Sequence, residues 1–249
     1  TISLSESTGS ALQNRAAASP RNQEPLVDDT PPAHKSAPRL ATLYFAMMTI
    51  GMGQTVVFAI LPMLGRELGL DQIVFSIPAL GWEFAPREMA ITSLSALTAL
   101  IFSLTAPFWG RQSDRRGRKP IILFGLVGYT VGTLTFNGAA QIGLSGLLGG
   151  VALYLLLLVT RVFHAVIMSA ATPASSAYVV DATTLHDRVK GIGKLNAFNQ
   201  VGAMVGPALA WFVGVHFLAP MYLQAVITLI AAFFVWRLLP ATTCHKSRN

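Results

Sequence analysis

Long runs without a charged residue constrain this chain more than any other feature of its sequence. No charged side chain occurs between Leu40 and Leu64, and several comparable runs follow. A run of about 18 apolar residues is long enough to cross a bilayer as a helix. Only 12% of the residues are charged, against roughly 25% in a soluble domain. We therefore predict an all-α membrane protein and exclude a soluble globule and a barrel of short alternating strands.

Polar segments divide the apolar sequence into six predicted transmembrane helices. They lie at about 40–64, 89–109, 121–141, 151–181, 195–215 and 220–236. The fourth is longer than a bilayer requires, so we expect its end to project into water. The loop between the first two is long enough for a short interfacial helix, with Trp82 as an anchor at headgroup depth. The uncharged segment 142–150 should be a tight turn.

The ends of the chain differ in composition from the bundle at 40–240. Residues 1–39 are rich in Ser, Ala, Pro, Asn and Gln, and such a segment cannot bury enough apolar surface to fold. We predict a disordered cytoplasmic tail there. Residues 241–249 form a second cytoplasmic tail or the start of an inter-bundle linker. The first apolar run begins too late, and is too long, for a conventional signal peptide.

The distribution of Lys and Arg predicts the orientation. With the amino terminus inside, fifteen of the 18 basic residues fall in the tails and inner loops, and two fall outside. Short loops rich in Lys and Arg stay cytoplasmic, so both termini are expected on the cytoplasmic side of a cell membrane. The net charge of +7 is then a topogenic signal, aided by anionic headgroups, and no nucleic-acid partner is required.

The segment 110–119, Gly-Arg-Gln-Ser-Asp-Arg-Arg-Gly-Arg-Lys, is the most specific string in the chain. A loop that only fixes topology would explain its five cations. It would not explain the spacing of Gly110, Asp114 and Gly117. A carboxylate and two glycines at fixed offsets in a very short loop favour a tight turn with a buried or paired aspartate.

This string resembles the signature of the major facilitator superfamily of secondary transporters between its second and third helices. That signature is Gly, three variable positions, Asp, Arg, a variable position, Gly, Arg, and then Arg or Lys. The matching residues are Gly110, Asp114, Arg115, Gly117, Arg118 and Lys119. The resemblance covers about 40–240, which corresponds to the N-terminal six-helix half of a typical twelve-helix member.

The resemblance implies a gating role for this motif. Asp114 would cap a helix start in the opposite bundle, and the arginines would pair with an acidic residue at the inner end of the fourth span, where Asp181 lies. A carboxylate near a helix N-terminus can contribute roughly 0.3–2 kcal/mol. These residues would then act as a conformational latch and not as a substrate site.

The first span also resembles the family, in Gly51-Met52-Gly53, Leu61-Pro62 and the following Glu-Leu-Gly-Leu at 67–70. Many drug/proton antiporters of this family carry an acidic residue in the first helix. Here none occurs between Asp29 and Glu67. This departure weakens any expectation of proton coupling through the first helix.

The fourth span contains the only charged side chain predicted at membrane depth, Arg161, with His164 on the same helix face. An arginine at mid-bilayer costs roughly 2.5–3.5 kcal/mol on translocon scales, so Arg161 should face the bundle interior. We expect both residues in substrate binding or proton coupling. The alternatives are an arginine bonded to backbone carbonyls and a hydrogen-bonded packing histidine. The family motif has Gln-Gly where this chain has His164-Ala165.

The fifth span resembles the antiporter motif of the family at Gly202, Gly206 and Pro207, although Ala210-Trp211 replaces its final Gly-Gly. Glycines four apart allow close helix packing, and a packing seam is the alternative reading. Proline should kink the helix. We also predict that two polar residues of this span line the transport path, Asn199 and Gln200. In the third span we expect three glycines to serve helix packing, Gly125, Gly128 and Gly132.

Several functional classes lack their signatures. The sequence contains no phosphate-binding loop and no arrangement typical of an enzyme. Its one cysteine and five dispersed histidines predict neither a metal site nor a cofactor. The resemblance implies transport of a small organic solute by alternating access, as proton-coupled, multidrug-like efflux. Uptake by the same fold and a truncated, non-transporting bundle are the alternatives.

The expected partners follow from the same resemblance. They are a small solute, protons, the lipid bilayer and a second six-helix bundle. The second bundle would be a missing C-terminal half, a partner chain or another copy in a homodimer.

Overall fold

The structure is a computed structural model that describes residues 37–70, 75–77, 82–84 and 87–240, with side chains at 40–70 and 91–240. Of the predicted amino-terminal tail at 1–39, residues 1–36 lie outside the described residues, whereas 37–39 belong to the first helix and not to a disordered tail. The predicted tail at 241–249 and the side chain of Trp82 also lie outside the described residues.

The described residues are predominantly helical, as predicted from the apolar runs. They form seven α-helices and one long 3₁₀ segment, Gly206–Gly214, between the last two helices. The helices are α1 Ala37–Glu67, α2 Arg87–Arg116, α3 Arg118–Leu144, α4 Gly150–Met168, α5 Ala171–Ala182, α6 Arg188–Val205 and α7 Ala219–Leu238.

Five stretches of the described chain are long and apolar enough to cross a membrane. They are Leu40–Glu67, Ile91–Arg116, Arg118–Leu144, Gly150–Ala182 and Ala219–Leu238. The fourth contains 33 residues, or about 50 Å of helix, against a hydrocarbon core of about 30 Å. It therefore extends beyond the bilayer, as its sequence predicted.

The predicted fifth span is formed by α6 and the 3₁₀ segment together. It does not qualify as a single apolar helix for two reasons. Its first turns carry the cations Arg188, Lys190 and Lys194, and its α-helical part ends at Val205, where the 3₁₀ segment takes over. Proline near the start of that segment lacks the amide hydrogen that a continuing α-helix requires.

The prediction of an interfacial helix between the first two spans was wrong in the described part of that loop. Strands β1, Phe75–Ile77, and β2, Trp82–Phe84, pair antiparallel there, with Phe75 opposite Phe84. Each strand alternates apolar, polar and apolar residues and contains an aromatic residue, a pattern that favours strands. The sequence between the strands contains Pro78 and Gly81, residue types that disfavour a helix.

Two apolar clusters hold the bundle together. The first joins α1, α3, α5 and α7 near the α2–α3 junction, and includes Met47, Leu126 and Val235. The second lies toward the opposite ends of α1 and α3 and includes Ile60 and Phe136. Because lipid tails are as apolar as these side chains, close packing contributes more to helix association than burial from water does.

Sharp turns join α2 to α3 and α3 to α4. Gly117 is the single residue between α2 and α3, and its φ of 95° lies in the region that glycine adopts most easily. Between α3 and α4, Gly146 and Gly150 also have positive φ. Both connections are therefore as tight as the sequence predicted.

Candidate functional site

A cavity of about 260 Å³ lies among α1, α2, α3 and α4. Most of its wall is apolar or aromatic, and a few uncharged polar groups interrupt it. The two basic residues singled out in the sequence lie in its wall. The lining residues are Gly53, Gln54, Val57, Phe58, Ser95, Thr98, Ala99, Phe102, Ser103, Tyr129, Arg161, His164 and Met168.

Arg161 is buried, with 5% of its surface exposed. Its guanidinium carbon lies 5.2 Å from the centroid of the Phe136 ring, a cation–π contact. Its Nε is buried without a hydrogen-bond partner among the described residues. The alternative was an arginine bonded to backbone carbonyls, and for Nε the described residues show no such bond.

His164 lies one helical turn after Arg161 and is also buried. Neither of its ring nitrogens has a hydrogen-bond partner in the described structure. Its ring meets the Tyr129 ring edge-on, with 4.8 Å between centroids. A Cβ on Gly132 would lie 2.9 Å from the Cβ of His164. The glycine in α3 therefore allows α4 to approach closely enough to bury the imidazole.

Polar residues of α1 and α2 complete the cavity wall and were missed in the sequence. Gln54 lies on the face of α1 that carries Val57 and Phe58, and Ser95 lies on the face of α2 that carries Thr98 and Phe102. Their spacing of three or four residues places each set on one side of a helix. That spacing, applied to uncharged polar residues in apolar runs, is the signal that would have found them.

A buried polar cluster lies beside the cavity and was also missed. Gln224 of α7 donates from Nε2 to the Thr49 carbonyl at 2.6 Å and to the Thr228 hydroxyl at 3.1 Å. A Cβ on Gly53 would meet both the Tyr129 hydroxyl and the Gln224 amide. Gly53 thus leaves the space in which these two polar groups fit beside α1.

Asn199 and Gln200 do not border this cavity. Asn199 Nδ2 donates to the Met47 carbonyl at 3.1 Å, which joins α6 to α1. Gln200 is exposed. In the structure, Asn199 therefore makes a contact between two helices. That either residue lines the transport path stays a prediction.

The glycines of the fifth span lie where α6 and the 3₁₀ segment cross α1. A Cβ on Gly202 would overlap the Met48 carbonyl, and one on Gly206 would overlap Thr55. Pro207 follows immediately, in the first turn of the 3₁₀ segment. The packing seam that the sequence offered as an alternative is present in the structure.

The third-span glycines also pack closely against the fourth span. A Cβ on Gly125 would lie 2.6 Å from the Ala171 amide nitrogen, and one on Gly128 would overlap Ile167. With Gly132 they bring α3 against α4 and α5.

Three residues of the predicted gating motif meet at the end of the bundle where α2 turns into α3. Arg118 Nε donates to Asp181 Oδ2 at 2.9 Å, and its Nη1 donates to Asp114 Oδ1 and, at 2.9 Å, to the Ser113 hydroxyl. We call Asp114, Arg118 and Asp181 the basic clasp. It joins the α2–α3 junction to α5, and its carboxylates are about half exposed.

The other motif residues surround the basic clasp. Lys119 Nζ donates to the Trp236 carbonyl at 2.8 Å, which caps the last turn of α7. Arg115 is exposed in the last turn of α2. Gly110 lies on α2 facing Pro173, at an ordinary van der Waals distance of 4.0 Å for an added Cβ. Three helices besides α2 therefore converge on one short motif.

Within the part of the chain that the structure describes, no group of three or more His, Cys, Asp or Glu side chains is arranged to hold a metal ion. The chemistry available in the cavity consists of one guanidinium, one imidazole, hydroxyls and an amide.

Five stretches that are long and apolar enough to cross a bilayer, packed around an internal cavity with a buried cation, indicate a multi-pass membrane protein. The sequence model of the Major Facilitator Superfamily matches residues 43–248. The chain belongs to this family.

The relatives that the chain matches include several drug-resistance proteins. It is 34% identical to multidrug resistance protein 2 of Bacillus subtilis over 59% of this chain and 36% of that protein. It is 28% identical to multidrug resistance protein 1 of the same species over 66% of this chain and 40% of that protein. It is 29% identical to the class B tetracycline resistance protein of Escherichia coli over 74% of this chain and 44% of that protein. The chain thus spans less than half the length of these relatives.

Proposed function

We propose that this chain forms one six-helix half of a secondary transporter that exports small organic solutes in exchange for protons by alternating access. The observation that carries the proposal is the cavity within the bundle, with Arg161 and His164 buried in its wall. Ionisable groups at membrane depth are costly and typically lie on solute or ion pathways. The names of the relatives, multidrug and tetracycline resistance proteins, support export over uptake.

A second six-helix bundle would complete the cavity. The length of the relatives supports this, as does the exposure of α2, in whose apolar window only 11% of the residues are buried within the chain. The second bundle is a continuation of the chain, a partner chain or another copy.

The basic clasp would act as the latch of this transporter. Arg118 holds α3 and α5 together through Asp181, while Asp114 stays more than half exposed and accessible to a facing helix. Exposed ion pairs contribute only about 0.2–1 kcal/mol each. Such a contact biases one conformation without locking it.

His164 is the proposed proton carrier, since the first span has no acidic residue between Leu40 and Leu64. Its two ring nitrogens are unpartnered in the described structure, and imidazole is the side chain that most readily exchanges protons near neutral pH. Arg161, one turn away, would bind the solute or respond to the charge on the imidazole.

The test is efflux from cells that lack their own multidrug pumps and express the chain in its natural reading frame. We expect active extrusion of at least one fluorescent dye from a panel of anionic, neutral and cationic dyes, abolished by a protonophore. Arg161→Ala should abolish extrusion because it removes the buried cation of the cavity. Arg237→Ala, which removes a cation stacked on Trp236 outside the cavity, should extrude the dye as the wild type does.

Normal abundance of Arg161→Ala in the membrane fraction is the control for folding. Active extrusion by this variant would return Arg161 to a packing role. Absence of extrusion by the abundant wild-type protein, over a panel of dyes, would refute export itself.

A further inference from the structure

We propose that the transported solute carries an acidic group, a carboxylate or similar oxyanion, that pairs with Arg161. This inference rests on the proposed function and identifies its substrate class: organic acids with a flat aromatic body.

The membrane-spanning sequence provides no carboxylate to balance Arg161. There is no Asp or Glu between Glu88 and Asp114, between Asp114 and Asp181, or after Asp187. The first span lacks one as well. The acids of this chain therefore lie outside the apolar runs, and the positive charge in the cavity has no counter-charge from the same helices.

The local contacts of Arg161 leave its Nε without a hydrogen bond among the described residues. The Phe136 ring, whose centroid lies 5.2 Å from the guanidinium carbon, accepts no conventional hydrogen bond. A guanidinium presents its donors in a planar fork that matches the two oxygens of a carboxylate. A bound carboxylate could therefore pair with a guanidinium whose Nε has no partner among the described residues.

The neighbouring imidazole extends the same site. His164 lines the cavity one turn from Arg161, and both of its ring nitrogens are unpartnered in the described residues. A neutral imidazole has one donor and one acceptor. It can donate to an oxygen of the acid or accept from a hydroxyl on the solute.

The rest of the wall is suited to an aromatic body. Phe58, Phe102 and Tyr129 line the cavity together with Val57 and Met168. Aromatic rings prefer offset or edge-to-face contacts with other rings, and thioether sulfur contacts ring edges favourably. The lining contains no acidic side chain that would attract a cationic solute.

The experiment compares three probes that share one ring system and differ in charge: naphthaleneacetate, naphthaleneacetamide and naphthylmethylammonium. Binding to the protein in its natural reading frame, reconstituted in lipid nanodiscs, is measured by calorimetry. We expect the acid to bind about tenfold tighter than the amide, as one additional charge-assisted contact provides, and the amine to bind weakest.

Variants assign the preference to Arg161. Arg161→Gln should bind acid and amide equally, and Arg161→Lys should keep part of the preference because it keeps the charge. Arg237→Gln, a matched loss of one cation outside the cavity, should leave the preference intact. Since Arg161→Gln removes the charge and keeps a polar group, amide binding by this variant also checks that the cavity remains folded.

Equal binding of acid and amide by the wild type, or a preference for the amine, would overturn the proposal. So would an acid preference that persists in Arg161→Gln. Dye efflux measured with the same protein separates this failure from failure of the proposed function: extrusion without acid preference refutes only the substrate class, whereas absence of extrusion refutes transport.

Discussion

Arg161 and His164 illustrate what a single residue can reveal in a membrane protein. Each is rare in an apolar run, so the sequence alone was sufficient to select them. The structure adds that both are buried in one cavity wall without hydrogen-bond partners for Nε and the ring nitrogens. Whether Arg161 was bonded to backbone carbonyls could not be predicted, because that depends on where neighbouring helices end and bend.

We predict that substitution of Asp114 slows transport. Asp114→Asn removes the negative charge from an exposed member of the basic clasp, while Arg118 keeps its bond to Asp181. We expect the variant to insert and accumulate normally, since the side chain is 60% exposed. Its turnover should fall because the latch loses its contribution to one conformation. Rates of dye efflux, normalised to protein abundance, measure this.

Asp187→Asn is the matched control. Asp187 lies before α6, and its side chain interacts with Thr184 and Lys190 and not with a residue of the basic clasp. Its substitution removes the same charge at an exposed site and should leave turnover unchanged. Equal rates for Asp114→Asn and the wild type would mean that Asp114 does not act in the latch.

The crossing of α1 with α6 shows how elements depend on small residues. Gly51 faces the backbone of Asn199, and Gly202 faces the backbone of Met48. Because each helix presents a glycine to the other's backbone, the two axes approach more closely than side chains would permit. Asn199 adds a hydrogen bond to the Met47 carbonyl at the same crossing.

Gly202→Ala should therefore destabilise the bundle by about 1–3 kcal/mol, because the new Cβ would overlap the Met48 carbonyl and force the helices apart. Thermal unfolding in detergent, monitored by size-exclusion chromatography, measures the loss of stability as a lowered midpoint temperature.

Gly193→Ala in the same helix is the matched control, because no neighbouring atom lies within 4 Å of the added Cβ. It should be neutral or slightly stabilising, since alanine favours a helix more than glycine does. Equal midpoints for the two variants would contradict this account of the crossing.

The elements differ in how well the sequence predicts them. Long uncharged runs predict the helices of the bundle, because a single segment in lipid can form all its backbone hydrogen bonds internally only as a helix. The hairpin of β1 and β2 was missed, since three-residue strands give too short a pattern for periodicity to decide. The 3₁₀ segment was only partly anticipated: Pro207 predicted a kink, but a nine-residue change of helix type depends on the tertiary contacts of Gly206 with α1.

The cavity was the part of the site least accessible from sequence. Its wall combines residues from four helices, and Ser95 or Thr98 cannot be distinguished from other hydroxyl residues of α2 until the helix faces are known. The pairing of an arginine of the motif with Asp181, in contrast, was predicted through the family resemblance, and Arg118 lies within hydrogen-bond distance of Asp181. The role of these residues as a latch stays a prediction.

At the scale of the whole molecule, one end of the bundle collects the basic segments. Arg118 contacts Asp181 and Lys119 contacts the Trp236 carbonyl, so the α2–α3 junction, the end of α5 and the end of α7 lie together. The uncharged α3–α4 turn lies at the far end of α3, about 40 Å away for a helix of 27 residues. This charge asymmetry makes the orientation of the bundle testable.

We expect the basic end to face the cytoplasm, because Lys and Arg in short loops resist translocation. The test uses a membrane-impermeant maleimide on intact cells, in a background in which Cys244, the one cysteine of this sequence, is replaced by serine. Leu147→Cys, at an exposed position of the α3–α4 turn, should be labelled from outside. Arg116→Cys, at the exposed end of α2, should be labelled only after the membrane is permeabilised. Labelling of Arg116→Cys in intact cells would invert the topology and place the basic clasp outside, where it could not serve as a cytoplasmic latch.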